Sequence, residues 1–189
     1  MKKKNLFCPL MALAMMVLTV SFTSCDNDDT KKNEQLTNKT ILGTWEKIGA
    51  TGTLTNLGDS KKPAYLVEWT FENEATTIKV DNKPLKEAPK DVMEYLNSLE
   101  QDCDRIQFVE GNKVNRQIFK DEKWTNGEMG ASYSYNEKNG QLTIEYPGKK
   151  FEGTVASFAQ MVMSIRTKNM QKDKNWSLPE YVFAYKRMK

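Results

Sequence analysis

Three kinds of side chain in this sequence could do chemistry: cysteines at 8, 25 and 103, a large set of carboxylates, and aromatics on alternating positions. Histidine is absent from all 189 residues. That excludes Ser–His and Cys–His nucleophile pairs, imidazole general bases and histidine-containing zinc sites. A glycosidase needs only two carboxylates at a set separation, but Glu68, Glu145 and Glu152 fall on the polar phase of their segments, and Glu72 and Glu128 form no evident pair. Asp26-Asn27-Asp28-Asp29 lacks the glycine and terminal glutamate of a calcium loop. Cys103 ends an apolar stripe and reads as a small buried hydrophobe. The expectation is therefore no catalytic residue, no metal and no cofactor: a protein that is not an enzyme.

Cys25 stands apart. Before it come Lys2, Lys3 and Lys4, an apolar stretch from Leu6 to Val20, and the small-residue run Ser21-Phe22-Thr23-Ser24. This is the order of a secretory signal peptide, and a stretch of about 15 apolar residues is shorter than a membrane-spanning helix needs. The Ser24-Cys25 junction resembles the lipobox of bacterial lipoproteins, with Phe22 where leucine is usual. The resemblance implies cleavage after residue 24, lipidation of Cys25 and a membrane partner reached through that lipid. Residues 25–40 hold one large apolar side chain, Leu36, and read as a flexible tether. The cluster Asp26, Asp28 and Asp29 is similar to the surface-export signal of Bacteroidota lipoproteins, implying the outer membrane and its exposed side, with the periplasmic face as the alternative.

Cleavage also changes the charge. Lys+Arg falls from 28 to 25 on loss of the three signal lysines, against 25 Asp+Glu. The mature balance is neutral, and nothing in it calls for nucleic acid. Cys103 would then be the only thiol left unmodified, so no internal disulfide can form and stability must come from a core.

The elements that must position those chemical groups lie beyond residue 40, where the dominant period is two. Tyr65, Val67, Trp69 and Phe71 alternate with Leu66, Glu68, Thr70 and Glu72; Leu142, Ile144 and Tyr146 do the same, as do Met161, Met163 and Ile165, and Tyr181, Phe183 and Tyr185. Such alternation marks half-buried strands. Glu110-Gly111-Asn112-Lys113, Asn139-Gly140 and Pro147-Gly148 supply turns. About ten strands are expected, mostly joined as hairpins in an antiparallel meander. Over residues 90–103, Val92, Leu96, Leu99 and Cys103 recur at helical spacing, with Pro89 suited to the first turn and Asp91 with Glu94 to a capping box. The spacing predicts one inserted amphipathic helix.

Ile41-Leu42-Gly43-Thr44-Trp45 opens this region. It resembles the Gly-x-Trp signature of lipocalins, and the whole of 41–188 resembles in outline the lipocalin-like lipoproteins of Bacteroidota. The matching pieces are Gly130-Ala131-Ser132-Tyr133-Ser134-Tyr135, Asn139-Gly140-Gln141-Leu142-Thr143-Ile144 and Tyr181-Val182-Phe183-Ala184-Tyr185-Lys186-Arg187. The resemblance implies a mainly β domain over 41–189, a single antiparallel up-and-down barrel, with Gly43, Trp45 and Arg187 at its closure and an interior cavity. The helix position departs from secretory lipocalins, in which a helix precedes the last strand. Candidate ligand contacts are Trp69, Tyr133 and Phe183 for an apolar or amphipathic ligand inside the barrel. Trp124 and Trp176, in polar turn-like surroundings, would suit a glycan at the rim. The competing expectation is a solid barrel that meets another envelope protein and takes no small ligand.

Overall fold

The structure, a computed structural model, describes residues 35–59, 63–72, 75–99, 103–172 and 175–189. The expected signal peptide, Cys25 and the tether as far as residue 34 lie outside the described residues. The strands are β1 (Gly43–Asn56), β2 (Tyr65–Glu72), β3 (Ala75–Val80), β4 (Lys83–Pro84), β5 (Asp104–Val109), β6 (Lys113–Lys120), β7 (Lys123–Asn126), β8 (Ala131–Asn136), β9 (Gln141–Tyr146), β10 (Lys149–Ala159), β11 (Val162–Lys172) and β12 (Trp176–Arg187). A helix, α1 (Lys90–Ser98), lies between β4 and β5. The protein is mainly β, with more strands than the alternation alone suggested.

Eight strands close an antiparallel barrel: β1, β5, β6, β8, β9, β10, β11 and β12, with β12 returning to β1. The short β7 folds back on β6, and β2, β3 and β4 extend as a wing from β1. The fork lies within β1, where Gly43–Glu46 pair with β5 and Gly49–Leu54 pair with β2. Between them, the β12 register slips at Ile48, a β-bulge. One extra residue reverses which side chains face inward. Trp45 and Lys47 are therefore buried before the bulge, and Ala50 and Leu54 after it.

Two apolar cores result. The first fills the barrel around Trp45, Phe108, Leu142 and Met163; the second lies under the wing around Leu54, Trp69, Leu178 and Tyr181. Phe183 packs against both. Helix α1 belongs to the second core through Val92, Tyr95 and Leu96. It is shorter than the expected 90–103. Leu99 caps it in an extended conformation, and Cys103 follows outside it, although both still pack against the same core. The expected capping box is not made; no side chain caps the N-terminus, and Glu94 instead pairs with Lys90 at 3.7 Å, one turn earlier.

The end of the expected tether is folded. Leu36 is only 2% exposed, Ile41 is fully buried, and the Ile41 amide donates to the Thr37 carbonyl at 2.8 Å. The Gln35 side chain donates to the Glu137 carbonyl at 2.9 Å, and the Asn38 amide to the Glu137 carboxylate at 2.6 Å. Two apolar side chains with their polar neighbours satisfied suffice to dock this stretch against the barrel.

Candidate functional site

The barrel has two unlike ends. At the base, Gly43 has φ +124°, and a Cβ there would meet the Arg187 guanidinium at 3.2 Å. Glycine is thus what lets that side chain lie across the start of β1. Arg187 is the register partner of Trp45, with its guanidinium carbon 5.7 Å from the ring centre. It donates to the Leu42 carbonyl at 2.6 Å and the Thr40 carbonyl at 3.2 Å. The Trp45 indole donates to the Ile41 carbonyl at 2.8 Å and meets Phe158 edge-on. Leu36 belongs to the same buried cluster and packs at this end.

The other end is charged. Lys47, just before the bulge, faces inward where β5 and β2 part, and its ammonium lies 3.2 Å from Asp104, the first residue of β5. Both side chains are about 5% exposed. Arg116 Nε donates to the other Asp104 oxygen at 2.9 Å, and the Tyr185 hydroxyl donates to Asp104 at 3.3 Å. The Lys47 ammonium also lies 5.1 Å and 5.3 Å from the ring centres of Phe71 and Phe183, at the junction of the two cores. Arg116 reaches Glu128 at 3.5 Å, and Lys149 pairs with Glu128 from the rim. Backbone bonds between Arg116 and residues 127–128 hold this part of β6 where its pairing with β8 gives out.

Around this cluster opens a cavity of about 270 Å³. Its polar lining is Lys47, Asp104, Arg116, Lys149 and Lys150, with Tyr146 and Tyr185; its apolar walls are Ile106, Ile144, Phe151 and Phe183. Burial pushes the Tyr146 phenol up to about 12, and burial followed by the Asp104 charge pushes Tyr185 well above the usual range. Both hydroxyls stay protonated and can donate at any physiological pH. Burial works against the Arg116 cation, but Asp104 outweighs it and holds the group firmly charged. Burial would likewise raise Glu128, yet the bond from Lys149 and the nearby cations bring it below the usual carboxylate range. The outcome is a half-open pocket with fixed charges at one side and a dry wall at the other.

Of the residues expected to contact a ligand, Phe183 alone lines this cavity. Tyr133 packs edge-on against Phe108 in the first core, and Trp69 lies 5.5 Å from Tyr181 in the second. Trp176 is not at a rim: it is 2% exposed, opens β12 and packs 5.9 Å from Tyr65. Strand pairing begins at that residue, so its side chain turns into the core despite the polar run before it. Trp124 is partly exposed on β7, with the Arg105 guanidinium 3.7 Å above its ring and Phe119 5.4 Å away. Arg105 is in turn held by Glu46 at 2.7 Å. That face of the indole is already covered.

The residues that build the pocket were visible in one respect. Asp104 shares its phase with Ile106 and Phe108, Arg116 with Val114 and Ile118, and Lys47 with Trp45. A charge two residues from a buried apolar side chain on the same strand points inward. The neutral net balance of the mature chain is blind to such placement.

Burial raises the Cys103 thiol, and Glu46 and Asp104 raise it further, so it remains protonated at neutral pH. Among the described residues no cluster of three or more His, Cys, Asp or Glu could hold a metal ion. Compared with protein-family models, curated proteins and solved structures, the chain matches none of them.

Proposed function

We propose that this protein is a membrane-tethered, lipocalin-like binding lipoprotein, anchored through Cys25 at the outer membrane and holding a small amphipathic ligand in the charged end of its barrel. The cavity of about 270 Å³ beside Lys47, Asp104 and Arg116 carries the reading. It lies near the lower limit of small-molecule sites, which run from roughly 300 to 1,000 Å³. Its combination of an apolar wall with a few converging polar groups is what such sites have in common.

An amphipathic ligand is better supported than a glycan. Trp176 is buried and Trp124 is stacked under Arg105, leaving neither as an open platform for a sugar ring. One observation favours the rival reading of an envelope interaction protein: Trp69, Tyr133 and Trp176, which would suit a ligand site, are all buried among other core side chains. Native mass spectrometry of the protein prepared from its own host separates the two. A co-purified small molecule, lost when Phe151 is replaced by tryptophan to fill the cavity, supports binding. An unliganded protein that carries a second polypeptide supports the rival.

A further inference from the structure

The balance of charge around the pocket has a consequence for what it can hold. Four cations line it, Lys47, Arg116, Lys149 and Lys150, against one carboxylate, Asp104. Two further acids engage those cations from outside the lining: Glu128 meets Arg116 and Lys149, and Glu152 meets Lys150. Glu145 lies directly across the strand pair from Lys150 as well, so the charges around the pocket balance in number and their placement decides what it can hold. At a half-buried site each of these charges is felt more strongly than in water.

Placement sharpens this. Asp104 is committed inward, to Lys47, Arg116 and Tyr185, and is 4% exposed. It offers nothing to a cation arriving from solvent. The groups nearest solvent are donors: Lys149, 54% exposed on its side chain and carried on the β9–β10 hairpin, with its ammonium 5.2 Å from the Tyr146 ring. Lys149 can turn from Glu128 toward an incoming acceptor, and the Tyr146 hydroxyl stands protonated beside it. Behind them lie Ile144, Phe151 and Phe183.

Resting on the binding reading above, we propose that the pocket selects a small carboxylate with an apolar body of about six carbons, a size set by a cavity equal to roughly nine waters of liquid volume. The carboxylate accepts from Lys149, Arg116 and Tyr146. The carbon body lies against Ile144, Phe151 and Phe183.

The test is isothermal titration of the full chain in detergent, corrected against protein-free detergent, with hexanoate, 1-hexanol and hexylamine as matched probes. Hexanoate should bind at least about tenfold tighter than hexanol, the difference one charge-assisted bond makes, and hexylamine weakest. Lys149→Gln should lower hexanoate affinity about tenfold and leave hexanol unchanged, and Phe151→Ala should weaken both. Hexanol binding as tightly as hexanoate, or hexanoate indifferent to Lys149→Gln, overturns the carboxylate assignment while leaving a small-molecule site in place. No binding of any of the three probes overturns the site as well.

Discussion

Replacing Asp104 by asparagine keeps the shape of the side chain and removes the one charge that holds the interior cluster together. In the native protein its carboxylate lies 3.2 Å from the Lys47 ammonium and 2.9 Å from Arg116 Nε, and accepts a bond from Tyr185. At an effective dielectric of about 20, each ion pair has a gross attraction of roughly 5–6 kcal/mol. Much of that only offsets desolvation, which costs several kcal/mol per buried ion. The substitution does not give the desolvation back, because Lys47 stays buried at 5% exposure and now faces Arg116 across a neutral amide. Unfolding stability should therefore fall by about 3–5 kcal/mol. In urea, with a slope of about 2 kcal/mol/M, the midpoint followed by tryptophan fluorescence should drop by roughly 2 M. The triple variant Lys47→Met, Asp104→Leu, Arg116→Met should recover most of that loss, since an apolar triad of similar volume has no ions to desolvate. A midpoint shift under about 0.3 M for Asp104→Asn would refute the reasoning, because it would mean that water already screens the cluster.

Other parts of the molecule make separate predictions. Leu96→Ala, from a fully buried position on α1, should cost about 2–5 kcal/mol of stability in urea denaturation, whether or not the helix takes part in binding. Arg187→Met should lower stability by about 1–3 kcal/mol and shift the Trp45 emission, since it strips the Leu42 and Thr40 carbonyls of charged donors. Alkaline titration should destabilise the fold. Tyr146 keeps its proton up to about 12 in the native state while the unfolded phenol loses it near 10, so stability present below about pH 10 drains away as pH rises toward 12, measured by near-UV absorbance beside circular dichroism. Cys25→Ala should move the protein from the membrane fraction to the soluble one, because acyl chains supply the proposed retention.

The regular parts of the fold were legible because their signal is local. Tyr65 to Phe71 and Leu142 to Tyr146 each alternate without a break, and each is a strand with its apolar face inward; Tyr181 to Tyr185 is a strand as well, though there Ala184 is buried beside Tyr185 and Phe183 only partly. What escaped depended on single residues or on distant ones. The bulge at Ile48 reverses the inward phase of β1, yet nothing in Lys47-Ile48-Gly49 announces it. Three tight turns use positive φ without glycine: Asp81-Asn82 at 50° and 64°, Asp121-Glu122 at 52° and 60°, Gln160-Met161 at 50° and 66°. Type I′ hairpin geometry needs such angles; Asp81, Asn82 and Asp121 suit them, whereas at Glu122, Gln160 and Met161 strand pairing imposes them on residues that tolerate them poorly. Met161 was accordingly expected on a strand face and instead sits exposed at a turn. In the other direction, Asn139-Gly140 was expected as a tight turn, but only Gly140 has positive φ, and its amide closes a wider loop back to the Asn136 carbonyl.

The site was the least legible part, for a reason that also bears on function. Lys47, Asp104 and Arg116 come from β1, β5 and β6, and only barrel closure brings them together. Each interrupts an apolar phase that methionine or leucine would fill at no cost in desolvation. A barrel needing only stability has no use for them, and the base of this one does without: Trp45, Ile41, Leu36 and Phe158 fill it with a single cation, Arg187, spread over backbone carbonyls. The two ends therefore obey different rules in one domain. Where the chain closes the barrel it buries apolar surface; where it leaves the barrel open it keeps charge beside an apolar wall, at the fork where β2 departs from β5. Paired charges concentrated beside an apolar wall at the open end are what the proposed binding pocket would require.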